Sequence, residues 1–165
     1  MSESKQKIVP NLWFDTEAEE AANFYVSVFE DARVLRVTHY GEAGPREAGL
    51  VMTVEWELEG QRFIGINGGP RLEFDEAVSF QIVCKDQDEV DYYWEKLTAG
   101  GGKPGQCGWL TDKFGLSWQV VPAGFEELVT DPDPERAQRA MEAMLKMGKL
   151  DFAALKAAAG DTGAE

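Results

Sequence analysis

Apolar side chains recur along this chain with two different periods. At Ala18, Ala21, Ala22, Tyr25, Val28 and Phe29 the spacing is helical, and Thr16 followed by Glu19 reads as a capping box at the start of that helix. The device returns at Asp86 and Glu89, with Val90, Tyr93, Trp94 and Leu97 as the apolar stripe and Gly100 as the stop. A strand-like run comes directly before each helix, at 8–14 and at 77–84. Short β-type segments separated by glycine follow each one: 34–40, 50–58 and 62–67 in the first half, then about 105–107, 109–111 and 117–121 in the second. Gly41, Gly44 and Pro45, and the Glu59–Gly60 step, mark turns between them. Each half therefore predicts the order β-α-β-β-β, and the two caps stand about seventy residues apart, as an internal duplication requires.

Beyond Pro122 the pattern turns helical. A short segment covers 124–130. Asp133 then caps a helix with Pro134 in its first position, carrying Ala137, Ala140, Met141, Met144 and Leu145 on one face. Asp151 opens a last helix that Gly160 ends, with Leu150 and Leu155 placed for a hydrophobic staple. The methionine stripe reads either as a face packed on a sheet, the chain's own or a partner's, or as an adaptable binding surface. The expectation is an α+β fold in a single domain, residues 1–165, made of a module at 8–70, a module at 77–122 and a helical tail at 124–160.

Strand alternation assigns faces. In 77–84, Val78, Phe80, Ile82 and Cys84 form the side that takes the helix, leaving Ser79 and Gln81 opposite. In the last strand Leu116, Trp118 and Val120 face the core, leaving Ser117 and Gln119. In 62–67, Ile64 and Ile66 are expected inside, leaving Phe63, Gly65 and Asn67. In the first strand Leu12 and Phe14 face the helix, leaving Asn11 and Trp13. The non-helix face would thus be neutral, made of amides, hydroxyls and aromatic rings. A merely solvated face usually carries Lys, Glu, Arg or Thr instead.

Composition narrows the function classes. The 165 residues are 44% hydrophobic and 28% charged, which is ordinary for a globular chain. Thirty acids against sixteen bases give a formal charge of -14, so a phosphate backbone would be repelled and nucleic acid is not an expected partner. No apolar run is long enough to span a bilayer, and residues 1–7 (MSESKQK) are polar, so the expected location is the cytoplasm, away from membranes. There Cys84 and Cys107 should stay reduced, Cys84 as a small core residue and Cys107 in a glycine-rich stretch with its role open.

The chemistry missing from the sequence is equally informative. No Gly-x-Gly-x-x-Gly opens a helix after a strand, which disfavours a dinucleotide or methyl-donor site of the Rossmann type. Gly100–Lys103 lacks the spacing of a phosphate loop, and Gly115–Gln119 misses a nucleophile elbow by its last residue. His39 is the single histidine, so a two-histidine zinc site is impossible, and on a strand it reads as structural before catalytic.

Several segments carry a family likeness: Pro10-Asn11-Leu12-Trp13-Phe14 with Phe24-Tyr25, Asn67-Gly68-Gly69-Pro70, and Asp91 with Trp94. The longest runs Cys107-Gly108-Trp109-Leu110, Asp112, Phe114-Gly115-Leu116-Ser117-Trp118-Gln119 and Pro122. On these residues the chain resembles the PhnB-like group, often labelled 3-demethylubiquinone 3-methyltransferase-like, of the vicinal oxygen chelate (glyoxalase and bleomycin-resistance) superfamily. The resemblance is expected over nearly the whole chain, the helical tail included.

It implies two modules curling into a curved, half-open barrel sheet, a homodimer, and a metal site built from His and Glu on the first and last strands of each module. Those positions map near Asn11, Asn67, Ser79 or Gln81, and Gln119. Where the family run ends in a metal-binding Glu, this chain has Gln119, and neutral amides hold a transition metal weakly. The expectation is therefore no metal, no cofactor and no catalytic residue, with an unknown small molecule bound by Asn11, Trp13, Phe63, Asn67, Ser79, Gln81 and Gln119 in a sequestration role. The alternatives are a superfamily enzyme with unusual ligands or with Cys107 or His39 in acid–base chemistry, the methyl transfer that the label implies, and an interaction protein clamped by its tail.

Overall fold

The chain folds into eight strands and five helices in the computed structural model, which describes residues 6–161, so most of the polar start lies outside the described residues. The first half runs β1 (Asn11–Phe14), α1 (Ala18–Val28), β2 (Ala32–His39), β3 (Val51–Leu58) and β4 (Gln61–Asn67). The second runs β5 (Ser79–Cys84), α2 (Gln87–Thr98), β6 (Lys103–Pro104), β7 (Trp109–Thr111) and β8 (Ser117–Pro122). The tail adds α3 (Phe125–Val129), α4 (Pro134–Met144) and α5 (Phe152–Ala159). Two compact units result, Met1–Phe74 and Asp75–Glu165, the second containing the tail. Among the described residues no helix is long and apolar enough to cross a membrane.

Each unit holds one open four-stranded sheet, and the two share one topology: β1-β4-β3-β2 and β5-β8-β7-β6, with the first strand parallel to the last and the other pairs antiparallel. The α+β fold and the repeated β-α-β-β-β order are thus as the sequence predicts. The registers also fix which residues correspond. Phe14 lies opposite Asn67 in the first unit as Cys84 lies opposite Pro122 in the second. The next backbone step repeats as well, with Gly68 N–H donating to Phe14 O at 2.9 Å and Ala123 N–H to Cys84 O at 2.7 Å.

In the first unit α1 lies across one sheet face, burying Ala18, Ala21, Ala22 and Tyr25 over Leu12, Phe14, Val54, Trp56 and Phe63. Trp56 is sandwiched between Tyr25 and Phe63, at ring separations of 6.0 and 5.9 Å. Gly65 makes that approach possible, because a Cβ there would stand 2.9 Å from the Trp56 ring and 3.1 Å from Ala18 Cβ. In the second unit Val90, Tyr93 and Leu97 of α2 meet Leu110, Trp118 and Val120, while Val121, Leu128, Ala140, Leu150, Leu155 and Ala159 form a separate cluster that binds the tail to its own sheet.

Helix caps match the sequence at three of four sites. Asp86 accepts from Glu89 N–H at 2.9 Å, Asp133 from Glu135 N–H at 3.0 Å and Asp151 from Ala154 N–H at 3.0 Å. The Thr16–Glu19 box is not formed. The first-turn N–H of Ala18 is taken instead by Asn67 Oδ1 at 2.9 Å, so the sheet caps the helix. Three further expectations need correction. Residues 105–107 form a turn and the short β6 precedes them, because glycine at 105 and a left-handed Cys107 leave no extended run. Val78 is exposed, lying before β5 begins. In β4 the faces are the reverse of those read from alternation: Phe63, Gly65 and Asn67 turn to the helix and Ile64 and Ile66 away from it. The polar Asn67 is inside because it caps, and the aromatic Phe63 because it stacks.

Candidate functional site

The pairing of β5, β8 and β7 assembles the neutral surface that the sequence predicts for the second unit. Ser79 lies opposite Ser117 and Ser117 opposite Thr111; Gln81 lies opposite Gln119 and Gln119 opposite Trp109. Residues opposite each other in a sheet share a face, so these form two rows on the side away from α2. Gln119 Nε2 donates to Ser79 Oγ at 2.9 Å, while Gln81 is exposed.

Ser117 is only 1% exposed, and its hydroxyl has no hydrogen-bond partner among the described residues. It lines a pocket of about 450 Å³ together with Glu76, Gln106, Cys107, Trp109 and Thr111. Sequence reasoning placed Ser117 on this face without counting it in the site. The alternation around the core residue Leu110 was the available signal for Trp109 and Thr111.

Two local devices hold this wall in place. Asp112 is buried and accepts Phe114 N–H at 2.8 Å and Leu116 N–H at 3.1 Å on one oxygen, and Trp118 Nε1–H at 2.9 Å on the other. The Asp112–Leu116 run is therefore a turn built around a carboxylate, which delivers Ser117 and Gln119 of β8 to the open face. The second device is the turn at 105–108. Cys107 N–H donates to Met147 O and Gly108 N–H to Gly148 O, both at 2.8 Å, so the tail pins the pocket rim. Gln87 and Lys149 secure the same junction: Gln87 Nε2 donates to Leu150 O at 2.9 Å and Lys149 Nζ pairs with Asp91 Oδ1 at 2.8 Å. Hydrogen bonds from Lys149 and then Gln87 hold the Asp91 carboxyl below the usual carboxylate range.

The first unit treats its candidates differently. Asn11 is exposed, and its Nδ2 donates to Val9 O at 3.0 Å. Trp13 sits on the open face, but its own chain covers it. The indole N–H donates to Gly69 O at 2.8 Å, Arg71 lies 5.3 Å from the ring centroid, and a Cβ on Gly68 would fall 2.2 Å from the ring. Phe63 and Asn67 belong to the helix-facing core. The shared register shows that Gln119 corresponds to Ile64 of the first unit, since Gln81–Gln119 and Asn11–Ile64 are equivalent pairs. Asn67 lies three residues further along the strand, opposite Phe14.

His39 is exposed at the end of β2. Both cysteines are free. Cys84 is buried, and its thiol is pushed up to about 12, first by burial and then by the carboxylates of Glu89 and Asp86.

A duplicated β-α-β-β-β chain with two open sheets and a pocket on the face opposite a helix defines the class: a glyoxalase-like, vicinal oxygen chelate fold. Within it, this chain belongs to the 3-demethylubiquinone-9 3-methyltransferase (PhnB-like) family, whose model matches residues 6–121. The PhnB protein of Bacillus cereus, a candidate 3-demethylubiquinone-9 3-methyltransferase, is 34% identical with a TM-score of 0.65, covering 72% of this chain and all of that one. Protein PA1353 of Pseudomonas aeruginosa shares the fold at 19% identity and a TM-score of 0.59, over 72% of this chain and 98% of that one. So does the fosfomycin resistance protein FosX of Listeria monocytogenes, solved with Mn(II) and sulfate, at 16% identity and a TM-score of 0.53, over 74% and 96%. No curated protein matches the chain. The family match ends at residue 121, so the resemblance does not extend through the helical tail as expected.

A divalent cation, which the superfamily implies, does not fit the residues in place. The strand positions that would supply its ligands hold Ser79 and Gln119, already bonded to each other, and in the first unit Ile64. No three His, Cys, Asp or Glu side chains converge on a common point among the described residues. Uncharged amide and hydroxyl oxygens are poor ligands for a transition metal compared with imidazole and carboxylate.

Proposed function

We propose that the chain binds an uncharged, planar, carbonyl- or amide-bearing small molecule in the second unit's pocket, without a metal, and retains it rather than transforms it. Ser117 carries this reading. A buried hydroxyl without a partner forfeits about 1–3 kcal/mol of hydrogen bonding, which a ligand oxygen in the pocket would restore. The setting is consistent. A volume of about 450 Å³ suits a small ligand, Trp109 offers a ring for stacking, and Thr111, Ser79, Gln81 and Gln119 add neutral donors and acceptors on the same face. The reading includes a cytoplasmic location, which two free thiols favour, and a homodimer, which likeness to the superfamily favours.

A thermal-shift screen of aromatic carbonyl and amide compounds tests the proposal. A ligand at one hundred times its Kd should stabilise the protein by about 2.7 kcal/mol, and Ser117→Ala or Trp109→Ala should abolish the response. Elemental analysis of protein purified without a histidine tag is the complementary measurement. A near-stoichiometric transition metal, or a library that gives no shift at all, would overturn the reading. Light scattering decides the dimer, and a monomeric mass would exclude it.

A further inference from the structure

Cys107 holds a backbone conformation that strains any side chain. Its φ is +59°, in the left-handed region that glycine enters freely, and glycine stands nearby at 105 and 108. The tail imposes this geometry through the Met147 and Gly148 carbonyls. Strain of this kind persists only where the surroundings dictate it. Here it places Cys107 on the wall of the pocket. A cysteine alone would mean little. The independent observation is Ser117, a buried, unpartnered hydroxyl donor on the same pocket, which Trp109 also lines. A nucleophile, an unused donor for an oxygen and an aromatic wall together form the requirements for capturing a conjugated carbonyl.

We infer that Cys107 is a covalent capture site for α,β-unsaturated carbonyl compounds, oriented by Ser117 and Trp109. The inference rests on the pocket reading above and narrows its ligand to soft carbon electrophiles. The carbonyl oxygen accepts the Ser117 O–H, and the Cys107 sulfur adds to the β-carbon. One C–S bond forms as the C=C π bond breaks. The displaced electron pair moves toward the carbonyl oxygen as an enolate, which the Ser117 hydrogen bond stabilises, and the thiol's proton finally rests on the α-carbon. The product is a saturated thioether, and no oxidant or reductant is needed. Cys84, buried in the core, is excluded from the reaction.

The full chain treated with 2-cyclohexen-1-one, followed by intact-mass measurement and peptide mapping, tests this. The expected result is a single adduct on Cys107, formed at least about tenfold faster than on glutathione and slowed about tenfold or more by Ser117→Ala. Methyl methanethiosulfonate, which has no carbonyl, should label Cys107 equally fast in both proteins and reports that the variant is folded. Equal enone rates with and without the Ser117 hydroxyl, or a rate no faster than glutathione's, would overturn the capture. Cys107→Ser separates the two readings. If it still gives a thermal shift with a non-electrophilic aromatic ketone while the native protein forms no adduct, only the capture falls. If no ketone stabilises any of the proteins and no adduct forms, the pocket reading falls with it.

Discussion

Replacing Asn67 with alanine separates a ligand-binding role from a structural one. The side chain is 1% exposed, accepts Ala18 N–H at 2.9 Å and donates to Val51 O at 3.0 Å. Losing the acceptor removes the side-chain cap that Asn67 gives α1, and removal of a cap costs about 1 kcal/mol. Losing the donor strands a partly buried carbonyl, for about 1–2 kcal/mol more. The expected loss is therefore about 2–3 kcal/mol. With a urea slope of about 1.5 kcal/mol per molar, the circular-dichroism midpoint should fall by about 1.3–2 M. Asn67→Asp gives a sharper check. When protonated, its carboxyl can still donate to Val51 O; when ionised, it sets an oxygen against that carbonyl. Its deficit relative to wild type should therefore grow as pH rises through the carboxylate range. Neither change should alter ligand-induced stabilisation of the second unit. An unchanged midpoint, or a ligand response lost at full stability, would refute the assignment of Asn67 as a cap.

Three further outcomes follow from the packing. Native protein should offer one thiol, Cys107, to a thiol-labelling reagent, and two in urea. Because the unfolded chain ionises Cys84 in the ordinary thiol range and the folded chain only at about 12, the stability present below that range should decline as pH climbs between the two, and Cys84→Ala should flatten that decline. Gly68→Ala places a methyl 2.2 Å from the Trp13 ring, so the indole must move; a loss of about 1–3 kcal/mol in thermal unfolding is expected, and an unchanged melting point would show that the 68–71 segment is not held against Trp13. Asp91 has its folded pKa below its unfolded one, so its contribution to docking the tail is present above the usual carboxylate range and lost as pH falls through the folded value. Hydrogen exchange around 147–150 should accelerate on acidification in the wild type, and Asp91→Asn should remove that dependence.

The sequence carried most of the architecture and about half of the site. Element order was legible because each helix had a strong apolar stripe and three carried a side-chain cap of their own, and the repeated strand–helix–strand order exposed the duplication. The open face of β5 and β8 was legible because their alternation is unambiguous, with Trp118 and Val120 flanking Gln119. In β4 the local pattern sets Phe-Gly-Asn against Ile-Ile and predicts the apolar pair as the inner one. A buried aromatic stack and a buried amide cap decided the opposite way, and both are tertiary effects that no local period encodes. The reach of Met147 and Gly148 to the turn at 105–108 was likewise invisible, since it joins backbone groups forty residues apart.

The duplicated units also meet the needs of their helix caps in different ways. At the equivalent point of the ladder, the first unit has Asn67 and the second Pro122, which cannot cap a helix with its ring. The first unit's helix has no side-chain cap of its own and draws on the sheet for one. The second unit's helix carries a complete local cap, with Asp86 accepting Glu89 N–H and Glu89 reaching back to Lys85 N–H at 3.4 Å. With capping handled within α2, nothing in β8 is drawn to the helix side for its hydrogen bonds. Ser117 and Gln119 stay on the open face, where the first unit has Arg62 and Ile64 at the equivalent places and pairs Arg62 with Glu55 at 3.1 Å. Two copies of one supersecondary plan have therefore diverged at a cap, and the copy that caps its helix locally is the one with an unpartnered hydroxyl on a pocket.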